Sequence, residues 1–174
     1  GLRRRHTHPQ KTFSNEAIIF CGVLATAGSI AYLGRALDSG DQHYALLFLL
    51  STLVYGVLGL WFPSRLVWVF ALLSLGAWFG TETGYVSGWG MYFLGMNFPI
   101  RFVLFGGALV GFSFLVKALP AVSGFFKSTY VVGMLYLFIA LWIMSIFGNY
   151  GDIKSWHHAG HGELFKWSLL FAIV

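Results

Sequence analysis

The chain alternates long apolar runs with short polar breaks, and the runs carry no period-2 alternation. Five of them approach the roughly 20 residues that a helix needs to cross the hydrocarbon of a bilayer. They are 17–33, 44–62, 66–80, 102–116 and 131–147, and a sixth opens near Leu164 and is cut off by the end of the sequence. A spanning segment must satisfy its backbone internally, so without the alternation of a closed barrel these runs predict helices. The expected fold is an all-α polytopic transmembrane bundle with five full spans and a truncated sixth. Its expected division is a basic leader over 1–15 and a single transmembrane helical domain over 16–174. The apolar end at Val174 and the initial glycine suggest a piece of a longer protein.

Local chemistry sets the expected boundaries. Ser14 and Asn15 are candidate N-caps for the first helix, with Glu16 favourable in its first turn, and Gly34 can end it. Pro63-Ser64-Arg65 reads as a tight turn joining the second and third helices into a hairpin. Pro99 suits the first turn of the fourth helix, while Pro120 and Gly124 break the chain before the fifth.

Composition strengthens this reading. Hydrophobic residues make up 57% of the chain and charged residues 10%, far below the roughly one quarter of a soluble domain. The pI near 9.5 does not indicate nucleic acid, because the basic residues flank apolar runs instead of forming one face. Such charges set orientation. With the N-terminus in the cytoplasm, seven basic residues fall inside and four outside, and five of the six acidic residues fall outside. Arg3, Arg4 and Arg5 are then placed to meet anionic lipid headgroups. The expected location is a cell inner membrane, multi-pass, with the lipid bilayer as partner. Cys21 is the one cysteine, so no intrachain disulfide can form.

Three constellations could carry chemistry. The segment 80–101, GTETGYVSGWGMYFLGMNFPIR, is too polar for a span and too aromatic for a free loop, which fits an interfacial or re-entrant segment. The apolar runs on either side are short, so the third helix is expected to continue past Glu82 and the fourth to start near Pro99. Glu82 and Arg101 then reach the same outer level. A cation in the first turn of a helix opposes the macrodipole, and Glu82 is a candidate partner for it. Such a pair reads either as a functional polar site or as a structural clamp.

In SWHHAGHGEL, 155–164, His157 and His161 are spaced i, i+4, with His158 and Glu163 beside them. That spacing can place two metal ligands on one helix face. Gly160 and Gly162 weaken a helix there, and a hydrated outer loop is the competing reading. Gly107 and Gly111 form a GxxxG that allows close helix approach, inside the chain or in a homo-oligomer. No phosphate-binding loop, nucleophile elbow, CxxC or haem-attachment motif occurs, no cofactor is implied, and no carboxylate falls at the centre of a span.

The run 64–106, SRLVWVFALLSLGAWFGTETGYVSGWGMYFLGMNFPIRFVLFG, resembles bacterial predicted membrane proteins grouped as domain of unknown function 2157. The resemblance implies a polytopic inner-membrane protein without an assigned activity, and brings over no functional residue. The leading functional expectation is a non-enzymatic envelope component with a sensory, scaffolding or assembly role, able to engage other membrane proteins. Two others stand beside it: a piece of a small-solute permease with Glu82 and Arg101 at its outer mouth, and a membrane enzyme with a periplasmic metal site at the histidines.

Overall fold

The computed structural model describes residues 9–36, 44–150, 153–158 and 162–174. Among the described residues seven α-helices follow one another: α1 (Pro9–Ala36), α2 (Ala45–Trp61), α3 (Arg65–Val86), α4 (Phe98–Ala118), α5 (Phe126–Phe147), α6 (Ile153–His157) and α7 (Gly162–Ile173). A single 3-10 turn, Ser123–Phe125, leads into α5.

Among the described residues, four segments are long and apolar enough to cross a membrane: Ile18–Ala36, Arg65–Val86, Phe98–Ala118 and Ser123–Phe147. Only 11% to 28% of their most apolar windows is buried within the chain. Most of the apolar surface therefore faces outward, as it does in a protein solvated by lipid. The expected five full spans are not confirmed among the described residues, α2 lying at the short limit of the usual range of about 17 to 25 residues. Helix α2 has 17 residues and so extends about 26 Å, short of a hydrocarbon core of about 30 Å. The expected sixth run forms α7, 12 residues long.

The third and fourth helices grow at their ends as expected, α3 past Glu82 and α4 from Phe98. The start of the first helix differs. Ser14 and Asn15 lie inside α1, which begins at Pro9. Proline is pre-shaped for a helix start, and Gln10, Lys11 and Thr12 continue a helix without adding to the apolar signal. The apolar run therefore begins inside the helix and not at its start.

Helices α2 and α3 form the expected hairpin. The Ser64 hydroxyl caps α3 by accepting from the Val67 amide at 3.4 Å. Helices α4 and α5 form a second hairpin with a closer crossing. A Cβ on Gly106 would sit 2.6 Å from the Leu137 nitrogen, and one on Gly133 would sit 2.9 Å from the Val110 nitrogen. Those glycines set the close approach. Gly107 and Gly111 are exposed, and a Cβ on either would meet nothing within 4 Å.

The two hairpins meet across α3 and α5. The Trp68 indole donates to the Thr129 hydroxyl at 2.9 Å and its ring stacks on Phe125. Leu72, Leu109 and Val132 form the core between them. Helix α1 joins through a second cluster of Val23, Tyr55, Val67 and Ala71, in which the Tyr55 hydroxyl donates to the Val23 carbonyl at 3.0 Å. Helix α7 packs on α5, with Phe138 and Phe171 in ring contact.

Candidate functional site: a hydrogen-bonded cap around Arg101

The segment between α3 and α4 folds over one end of the bundle, where the C-termini of α3 and α5 meet the N-terminus of α4. Its path follows from a few residues. Within the last turns of α3, the Thr81 and Thr83 hydroxyls donate to the Ala77 and Phe79 carbonyls, each at 2.8 Å. The helix therefore passes Glu82 with those polar groups satisfied. It stops at a glycine: the Gly88 amide bonds the Tyr85 carbonyl at 2.9 Å and the Trp89 amide bonds the Gly84 carbonyl at 2.7 Å. With Gly88 at φ +61°, this is the Schellman ending, in which glycine takes the left-handed position. The Trp89 ring lies over Gly84, where a Cβ would meet it at 3.1 Å.

The chain then reverses at Phe93–Met96, whose amides and carbonyls exchange bonds of 3.0 and 2.9 Å. Leu94 and Gly95, both at positive φ, are the two central residues, as in a type I′ turn. Asn97 caps α4 by accepting from the Ile100 amide at 3.1 Å. It also ties the cap to the end of α5. Its amide side chain donates to the Gly148 carbonyl at 2.9 Å, and its backbone amide donates to the Asn149 side-chain oxygen at 3.2 Å. Asn149 in turn donates to the Gly95 carbonyl at 3.3 Å, and the Tyr92 hydroxyl donates to the Asn149 carbonyl at 3.0 Å.

Arg101 sits under this cap with 1% of its surface exposed. Its Nε donates to the Met96 carbonyl at 3.1 Å, Nη1 to the Thr83 carbonyl at 3.2 Å and Nη2 to the Met91 carbonyl at 3.3 Å. The guanidinium also lies 4.4 Å from the Phe98 ring centroid and 5.4 Å from that of Phe93. A cation this early in α4 opposes that helix's dipole. The negative C-terminal end of α3 and the loop carbonyls offset the opposition. The planar fork of arginine lets one side chain serve three carbonyls in different directions. Below it lies an apolar recess of about 320 Å³, bordered by Phe79, Leu104 and Phe105.

Glu82 is half-buried on α3, one residue before the carbonyl that Arg101 reaches. The structure thus gathers the Glu82 turn and Arg101 at one end of the bundle, and the guanidinium contacts α3 through the Thr83 backbone. Sequence reasoning missed Asn97 and Asn149. Asn97-Phe98-Pro99 is a cap followed by an early proline, a readable helix start; nothing local in Gly148-Asn149 shows that it meets Asn97.

The histidines occupy the connection between α6 and α7. His157 and His158 are exposed, their ring centroids are 5.7 Å apart, and His158 Nδ1 is 2.8 Å from the Lys154 carbonyl. His161 and the Glu163 side chain lie outside the described residues. Among the described residues no three His, Cys, Asp or Glu side chains gather as a metal site. Arg3, Arg4 and Arg5 also lie outside them.

No family model, curated protein or solved structure matches the chain.

Proposed function

We propose that the chain is a non-enzymatic integral protein of a bacterial inner membrane, a scaffolding, sensory or assembly component with its N-terminus in the cytoplasm. The observation that carries this reading is the state of Arg101. It is buried, and its donors are engaged by backbone carbonyls of three different turns. An arginine that selects a solute keeps donors directed into a passage; here the side chain holds a loop closed. The orientation is supported by the seven-to-four bias of basic residues. The likeness of 64–106 to domain of unknown function 2157 agrees with a polytopic inner-membrane protein.

The second reading is a small-solute permease with Glu82 and Arg101 at its outer mouth, favoured by their placement at one end of the bundle. Proteoliposomes containing the purified chain separate the two. Osmotic swelling in small sugars, amino acids and salts is expected to match that of empty liposomes. Swelling that requires the protein and disappears in Arg101→Gln and Glu82→Gln, with both variants still folded, would establish the permease. The metal-enzyme reading requires stoichiometric metal after tag-free purification, lost when His157, His158 and His161 are all replaced by alanine.

A further inference from the structure

Helix α1 and the α2–α3 hairpin border an apolar groove of about 540 Å³. Leu24, Ala27 and Ala31 of α1 line it, facing Leu47 and Phe48 of α2 and Phe70 of α3. At its deep end the groove reaches Val23 and Tyr55, whose hydroxyl bonds α1 to α2. Its other end lies by Tyr44 and Thr81, where α1 ends and α2 begins.

We propose that this groove is a phospholipid site that takes one acyl chain along its length and holds the lipid phosphate at Arg35. Three observations lead there. The first is length. On α3 the lining runs from Phe70 to Thr81, a rise of about 16 Å, against about 15 Å for one leaflet of hydrocarbon. The groove is thus as long as one leaflet is deep, and it begins at a helix boundary.

The second is chemistry. The lining is mainly aliphatic and aromatic, and three of its hydroxyls, beside those of Tyr44 and Ser74, are already used within the chain. Ser51 donates to the Leu47 carbonyl at 2.9 Å, Thr81 to the Ala77 carbonyl at 2.8 Å and Tyr55 to the Val23 carbonyl at 3.0 Å. Those hydroxyls have no proton left to give a polar ligand, whereas a hydrocarbon chain needs none.

The third is charge. Ala27, Ala31 and Arg35 follow at intervals of four, so the face of α1 that lines the groove continues one turn further to Arg35. Arg35 is exposed in the last turn of α1. A guanidinium at the mouth of an acyl-sized groove is suited to the phosphodiester that every glycerophospholipid carries.

Native mass spectrometry of the full chain in detergent tests the site, with palmitoyl-oleoyl-phosphatidylglycerol and the corresponding diacylglycerol as probes. The wild type is expected to retain one phospholipid and about tenfold less diacylglycerol. Arg35→Gln is expected to bring the phospholipid down to the level of the diacylglycerol. Ala27→Phe, which fills the groove at an exposed position, is expected to remove both. Ala31→Phe, one turn nearer the mouth, serves if Ala27→Phe does not fold. Equal retention of the two probes by the wild type overturns the phosphate contact. Undiminished phospholipid in a folded Ala27→Phe or Ala31→Phe chain overturns the groove. A dimer that either substitution dissociates assigns the groove to a second copy and also overturns the proposal.

Discussion

The Arg101 guanidinium donates to the Thr83 carbonyl at 3.2 Å, joining the start of α4 to the end of α3 across the loop that connects them. The same side chain holds Met91 and Met96 of that loop, so removing it releases three contacts together. Arg101→Lys keeps the charge but offers a point donor in place of a fork. We expect it to lower stability by about 2 kcal/mol, since buried carbonyls lose partners. Thermal or denaturant unfolding in a fixed detergent checks this. A lysine variant as stable as the wild type would remove the clamp.

The α4–α5 crossing separates four glycines by role. Gly106→Ala and Gly133→Ala drive a Cβ into the backbone of the facing helix, and each is expected to destabilise by about 1–3 kcal/mol. Gly107→Ala and Gly111→Ala meet open space. Alanine's helix propensity makes them neutral or stabilising by up to about 1 kcal/mol. The four melting midpoints in detergent decide it. If Gly107 and Gly111 instead seat a second copy, bulky replacements there shift the mass measured by light scattering and leave the monomer's stability unchanged.

Asn97 and Asn149 act as a unit, with bonds running both ways between their segments. Asn97→Ala removes a helix cap together with a tie to α5, and is expected to cost about 2 kcal/mol. Asn149→Ala is expected to cost less. The double variant is expected to depart from the sum, because the two side chains tie the same two segments together through different bonds. An additive double-mutant cycle would show that the start of α4 and the end of α5 are held separately.

The apolar pattern made the helices legible, and the short runs on either side of 80–101 correctly implied that α3 and α4 grow inward over that segment. What the pattern lacked was local in one case and distant in the others. Polar residues can continue a helix without adding hydropathy, so the start of α1 at Pro9 was invisible to it. The choice of Gly106 over its neighbour Gly107 depends on the rotation of α4 against α5, which a GxxxG spacing does not fix. Arg101 stood out in sequence because a cation early in a helix needs compensation. The carboxylate of Glu82 was the natural candidate; the three carbonyls that Arg101 reaches belong to Thr83 at the end of α3 and to Met91 and Met96 of the turn after it, and a backbone atom leaves no mark in a sequence.

Orientation is open to a direct test. With Cys21 replaced by alanine, a cysteine at position 159 is expected to react with a membrane-impermeant thiol reagent added outside intact cells. Reaction only after permeabilisation would place the N-terminus outside and reverse the reading of the charge bias.

The central claim is that 87–97 is a closed cap held by Arg101. Hydrogen–deuterium exchange of the full chain in lipid nanodiscs tests it most directly. The Gly88 and Trp89 amides are bonded to the end of α3 and the Phe93 and Met96 amides within the cap, so they are expected to exchange slowly in the wild type. In Arg101→Lys they are expected to exchange at least about tenfold faster, while α2 is unchanged. Fast exchange of these amides in the wild type, or rates that Arg101→Lys leaves untouched, would contradict the account.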